Sequence, residues 1–147
     1  MSSDEPHRGD AAPPYVGALL RLAHRKARAQ ALAGLAAGGF DDLQEAYFPI
    51  LSYPGPEGMR PSALAQRLGM SKQAANHLLN TLEGLGYLER RDDAEGARRV
   101  HLTARGHAAF ATIQATMRAL EQRWAAQIGP ERFAPFLATL REIATLG

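Results

Sequence analysis

Residues 60–91 read RPSALAQRLGMSKQAANHLLNTLEGLGYLERR. Leu64, Ala65 and Leu68 make an apolar inner face at helical spacing. Ala65 is small where two helices must cross closely. Gly69 follows four residues later, where the chain turns sharply and a side chain would cost energy. Met70 is expected to plug the turn, and Ser71 to cap a second helix. Ala75, Leu78, Leu79 and Leu82 face inward along it, and Gly86 suits its end. Two short helices are thus predicted, about 61–68 and 72–85, around a three-residue turn. This order of small, turn and apolar positions is a helix-turn-helix pattern.

Beyond the second helix, residues 87–91 and 98–103 read as two short strands joined by the polar tip Asp92–Ala97. Helix-turn-helix plus hairpin makes a winged helix over residues 60–103. The face that the second helix leaves outward carries Lys72, Gln73, Asn76, His77 and Asn80, after the cap Ser71. Gln and Asn pair bidentately with adenine edges in a major groove, and Lys72 can meet a phosphate or a guanine. Helix N-terminal amides also favour phosphate. An ordinary wet helix face usually carries Glu and Lys pairs, and this one has no acid before Glu83. The hairpin adds Arg90 and Arg91 on one strand and Arg98 and Arg99 on the other. A basic ribbon beside such a helix can grip a phosphate backbone or enter a minor groove. The plainer reading is that some of these arginines neutralise Asp92, Asp93 and Glu95. Both roles are expected, divided among the four.

Working outward, residues 1–14 are rich in Pro, Gly, Ser and charge and read as a disordered N-terminal arm. Residues 15–147 then make one domain. A helix is predicted over 15–37, with Leu19, Leu20, Ala23, Ala27 and Ala31 on one stripe and Gly38-Gly39 stopping it. Asp41 is expected to cap a second helix through Tyr53, kinked at Pro49. Thr103 caps a long helix to about Gln127 with Phe110, Ile113, Met117, Leu120 and Trp124 in its stripe. Gly129-Pro130 breaks it, and a last helix carries Phe133, Phe136, Leu137, Leu140, Ile143 and Ala144, with Pro135 bending its first turns. The expected architecture is mainly α with a small β-hairpin wing. A DNA-binding lobe spans about 54–103, and a helical dimerisation region spans about 15–37 and 104–147. The two ends carry more apolar stripe than one small lobe can cover, so Leu20, Leu120, Leu137 and Leu140 are predicted to meet a second copy.

Composition sets limits. The chain has 147 residues, 46% of them apolar and 22% charged, ordinary values for a globular domain. No apolar run reaches the roughly 18 residues needed to cross a bilayer, and residues 1–14 do not read as a secretory signal. A cytoplasmic protein with no membrane partner is expected. There is no cysteine, which excludes disulfides, thiolate zinc sites and a thiol switch. The five histidines show no zinc spacing, so no metal and no cofactor are predicted. No phosphate loop, nucleophile elbow or paired-carboxylate pattern appears, so no catalytic residue is assigned and no enzyme is expected. Net charge is only +2, but residues 60–105 hold eight Lys/Arg against five Asp/Glu, leaving the remainder slightly acidic. Positive charge leans toward the winged helix.

The stretches LAQRLGMSKQAANHLLNTLEGLGYLERRDD (64–93) and RRVHLTARG (98–106) resemble the multiple-antibiotic-resistance regulator (MarR) family of bacterial winged-helix proteins, and the likeness extends over about residues 15–146. The resemblance implies a homodimer joined by the first and last two helices, and a recognition helix over 71–85. It implies a sequence-specific transcription regulator, a ligand-responsive repressor on a pseudo-palindromic operator of double-stranded DNA. It also implies a small aromatic effector lodged between the dimer helices and the reading lobe, for which Tyr47, Phe48 and Tyr53 are the candidates. The wing tip, Asp93–Ala97, departs from the family's Asp-x-Arg element, which leaves open which wing arginine enters a groove. Two other readings stand beside this one. A protein-docking winged helix would favour acids on the recognition face, and a non-specific architectural DNA binder would favour a heavier basic excess.

Overall fold

The computed structural model describes residues 14–147. Nearly all of the predicted arm, 1–14, therefore lies outside the described residues. Six helices and one hairpin follow in order: α1 (Val16–Ala37), a 3₁₀ turn (Glu45–Tyr47), α2 (Phe48–Ser52), α3 (Pro61–Leu68), α4 (Lys72–Gly84), β1 (Leu88–Asp92), β2 (Arg98–Leu102), α5 (Ala104–Ile128) and α6 (Pro130–Thr145). The mainly α architecture with a two-stranded wing is the one the sequence predicts.

The caps follow the sequence chemistry. Ser71 Oγ accepts from the Ala74 amide at 3.1 Å, and Thr103 Oγ1 accepts from the Gly106 amide at 3.1 Å. Each satisfies one of the donors a helix start leaves unpaired. Gly69 has φ +63°, the left-handed conformation that lets α3 end and α4 begin within three residues. Met70 does not plug that turn. It is 37% exposed, and the turn is closed instead by the Met70 amide, which donates to Ala65 O.

The core gathers Leu35 of α1, Leu43, Tyr47, Ile50 and Leu51 of the following segment, Leu64 of α3, Leu79 and Leu82 of α4, and Tyr87, Leu88, Val100 and Leu102 of the wing base. Each fully buried aliphatic side chain contributes about 1.5–3 kcal/mol. The strands pair antiparallel with Leu88 opposite Leu102 and Asp92 opposite Arg98. Strand alternation turns Leu88, Val100 and Leu102 inward. An isolated bridge between Met59 and Val100, closed by two backbone bonds of 2.8 and 2.9 Å, fastens the start of the helix-turn-helix to the wing.

The expected helix from Asp41 through Tyr53 is not formed as such. Asp41 caps nothing, Gln44 is extended, and regular helix starts only at Phe48, with Pro49 in its first turn rather than at a kink. Tertiary contacts overrule local preference here. Leu43 is drawn into the core, and the Asp42 carboxylate is occupied by partners distant in sequence.

Only the C-terminal half of α1 is covered. Ala31 and Leu35 are buried, whereas Val16, Leu19, Leu20 and Leu22 are exposed. Leu120, predicted for an interface, is corrected by the structure: it is 6% exposed and already buried within the chain. Together with Ala27, Met117, Trp124, Phe133 and Phe136 it lines a cavity of about 220 Å³ between α1, α5 and α6. Leu137 and Leu140 line the same cavity half-buried, Leu20 is exposed, and Phe110 packs against the main core.

Candidate nucleic-acid interface

Helix α4 and the wing make one continuous surface. Ala75, Leu79 and Leu82 anchor α4 in the core, which turns the opposite side outward. Ser71, Lys72, Gln73, Asn76, His77 and Asn80 are all exposed there. An α-helix presenting amides and one lysine, with no acid on its first two turns, has the shape and donor set that fit a major groove.

The four wing arginines divide more sharply than their sequence suggests. Alternation along β1 puts Arg90 on the face of Leu88, where it turns back to α4. Its Nη2 donates to Asn80 Oδ1 at 2.7 Å, and its Nε lies 3.2 Å from Glu83 Oε2. Its side chain is only 20% exposed. Arg91 pairs with Glu89 on the outer face. Arg99 Nε donates to Asp93 Oδ2 at 3.0 Å and is half-buried. Arg98 is the loosest, 4.0 Å from Asp92 and 65% exposed. Arg98 is thus the wing arginine most open to an outside anion, while Arg91, though exposed, donates from Nε and Nη2 to Glu89. Arg90 and Arg99 are spent mainly on the protein's own geometry.

Asp93 organises the tip, a role the sequence reading missed. Its Oδ1 accepts from the amides of Glu95 and Ala97, both at 2.9 Å, and its Oδ2 takes Arg99. These donors, Arg99 foremost, hold its carboxyl below the ordinary value. An Asp three residues ahead of a turn glycine, Gly96, is the local signal that could have revealed it.

A second polar group ties the reading lobe to the long helices. Tyr87, fully buried at the wing base, donates its hydroxyl to Asp42 Oδ1. Arg105 of α5 bonds the same carboxylate at 3.1 and 3.3 Å and lies over the Tyr87 ring at 4.3 Å. Burial, then the bond to Asp42, pushes the Tyr87 phenol up to about 12. The Tyr87 bond, with help from Arg105, lowers Asp42. Because the folded Tyr87 value is raised, its contribution to stability is complete below pH 10 and is lost as pH rises from 10 to 12. For Asp42 the contribution holds above the ordinary carboxyl value and is lost in acid. Tyr87→Phe is expected to cost about 1.5 kcal/mol at pH 7, the low end for a bond to a charged group, since Asp42 keeps Arg105. It should also flatten the fall in stability between pH 10 and 12, read from urea midpoints. An unchanged alkaline limb would refute this role.

The candidate effector residues sit deeper than expected. Tyr47 is buried in the core, Phe48 is half-buried against it, and Tyr53 lies beneath the Arg67 guanidinium at 5.4 Å. Among the described residues no group of three or more His, Asp or Glu is placed to hold a metal ion, and no helix is long and apolar enough to cross a membrane.

Comparison with known proteins agrees with this geometry. Residues 41–99 match the family model described as MarR family. A Mycobacterium tuberculosis MarR family protein in complex with p-aminosalicylic acid is 26% identical, with a TM-score of 0.65 over 90% of this chain and 100% of that one. MepR, a transcription regulator of the Staphylococcus aureus multidrug efflux pump MepA, shares the fold at 19% identity and a TM-score of 0.69, over 90% of this chain and 98% of its own. A single-residue MepR mutant bound to an oligodeoxyribonucleotide aligns at 19% identity and a TM-score of 0.63, over the same shares. No curated protein matches the chain in sequence. With the matched segment 41–99, the cap-and-turn chemistry of α3 and α4, and the flanking helices α1, α5 and α6 in one arrangement, the chain has the winged-helix fold of MarR family transcription regulators and is similar to them over most of its length.

Proposed function

We propose that the protein is a cytoplasmic, sequence-specific DNA-binding repressor that acts as a homodimer on a pseudo-palindromic operator. The observation that carries this reading is the exposed face of α4, free of acids before Glu83, with Lys72, Gln73, Asn76, His77 and Asn80, flanked by Arg91 and Arg98 on the wing. In this reading the lobe of about 54–103 reads DNA. Residues 15–37 and 104–147 join two copies, through Val16, Leu19 and Leu20 of α1 and Phe136, Leu137, Leu140 and Ile143 of α6. Most of these side chains are exposed in a single chain. Burying them against a second copy supplies the driving force.

Responsiveness to a small aromatic molecule is part of the proposal. Its support is the MarR family protein in complex with p-aminosalicylic acid, to which the chain is similar, and the partly buried Phe48 and Tyr53, packed against the core that holds Tyr47, on the segment between the two regions. An effector wedged there would change the separation of the two reading helices.

Sedimentation and selection test the core of the proposal together. At micromolar concentration the protein should sediment at about twice 15.9 kDa. From a randomised duplex pool it should select two inverted half-sites about one helical turn, roughly 10 base pairs, apart. A stable monomer, or a pool with no consensus after repeated rounds, defeats the reading.

A further inference from the structure

We infer that Arg90 is a specificity-positioning residue: clamped by Glu83, it occupies the carbonyl of Asn80 and leaves that side chain to present donors outward, so Asn80 favours guanine over adenine. This rests on the proposed role of α4 as the reading helix.

Asn80 and Glu83 stand three residues apart and therefore on one side of α4. Arg90 enters from β1 on the Leu88 face and bridges the two, with Nε 3.2 Å from Glu83 Oε2 and Nη2 2.7 Å from Asn80 Oδ1. A guanidinium has donors only, so the amide atom facing it must be the carbonyl oxygen. The Asn80 amino group is thereby turned away from Arg90, and the residue is exposed. A free Asn reads adenine with both ends of its amide, accepting from N6 and donating to N7. Here the accepting end is already engaged by a charge-assisted bond, while Glu83 and the strand hold the arginine in place. The donating end suits a base edge made of acceptors, and guanine offers O6 and N7 side by side. Arg90 also neutralises Glu83, an acid close to this part of the face.

Selection from a randomised duplex pool, followed by anisotropy titration on duplexes varied one base pair at a time, tests this. The wild-type protein should prefer guanine to adenine at the half-site position that Asn80→Ala flattens. In Arg90→Met, that ratio should shift toward adenine by about tenfold, within the range of one bidentate contact, with the other positions unchanged. Arg90→Lys keeps a donor for Oδ1 and a charge for Glu83, and should retain the guanine preference. If Arg90→Met folds poorly, Glu83→Gln, which loosens the clamp, should move the ratio in the same direction by a smaller factor. An Arg90→Met ratio within twofold of wild type at the Asn80 position overturns the inference and leaves the proposed function standing. Adenine preferred by the wild type there does the same, and so does an Asn80→Ala that flattens no position. A pool that yields no consensus at all fells the proposed function and the inference with it.

Discussion

On the duplex that the wild-type protein selects, Asn76→Ala is expected to bind more weakly by about 1–3 kcal/mol for each base-edge interaction it removes, with preference relaxed at one position per half-site. Asn76 is exposed one turn beyond the Ser71 cap, and Ala75 beside it is locked into the core, so the helix cannot rotate to compensate. Affinity for scrambled duplexes should barely change, because that affinity comes from phosphate neutralisation. Arg98→Ala should behave in the opposite way. It should bind more weakly to cognate and scrambled duplexes alike, and the salt dependence should fall by about one per arginine removed, so about two per dimer. Arg98 is the better wing probe than Arg99. It is exposed and 4.0 Å from its partner, whereas removing Arg99 would also release Asp93 and loosen the turn. Anisotropy titrations at several salt concentrations read both effects. If Asn76→Ala, Gln73→Ala and Asn80→Ala all leave cognate affinity and preference intact, α4 is not the reader.

The second large effect concerns stability. Gly106→Val is expected to destabilise the fold by about 2–3 kcal/mol, as overpacking of a closed site does. A Cβ at Gly106 would run into the Tyr87 carbonyl oxygen, with Leu102 Cδ2 at 3.2 Å behind it. That carbonyl already accepts the Thr103 amide at 3.1 Å, so moving it disturbs the start of α5 as well. Gly84, with nothing within 4 Å of a Cβ, supplies the contrast. Gly84→Ala should gain about 0.5 kcal/mol by stiffening the unfolded chain. Urea midpoints decide, and a Gly106→Val midpoint equal to wild type would sink the packing argument.

Much of this was legible in the sequence where local chemistry and tertiary packing agree. Ser71 and Thr103 cap the helices they precede, Gly69 turns the chain, and Ala75, Leu79 and Leu82 are buried at the spacing that predicts them. Where the two disagree, the sequence misleads. The segment after Asp41 has an acid, a leucine and a following apolar run, which together read as a capped helix. Tyr87 and Arg105, more than forty residues on, take the Asp42 carboxylate instead, and no local window contains them. Met70 and Leu120 fail for a related reason. An apolar residue at a plausible spacing does not say which side of it the chain will cover. The wing arginines show the limit most clearly. RR and RR are chemically alike on paper, and only strand alternation with the reach of Glu83, Glu89 and Asp93 leaves Arg98 as the loosest of the four.

The Asp93 turn has a consequence for the thermodynamics of the proposed complex. Two amides and a guanidinium converge on one carboxylate, so the tip of the hairpin is closed before any partner arrives. The entropy of ordering those residues is lost when the chain folds rather than when it docks. A wing prepared in this way adds its grip at little further entropic cost, in contrast to arms that fold only on contact and weaken binding by the ordering they require.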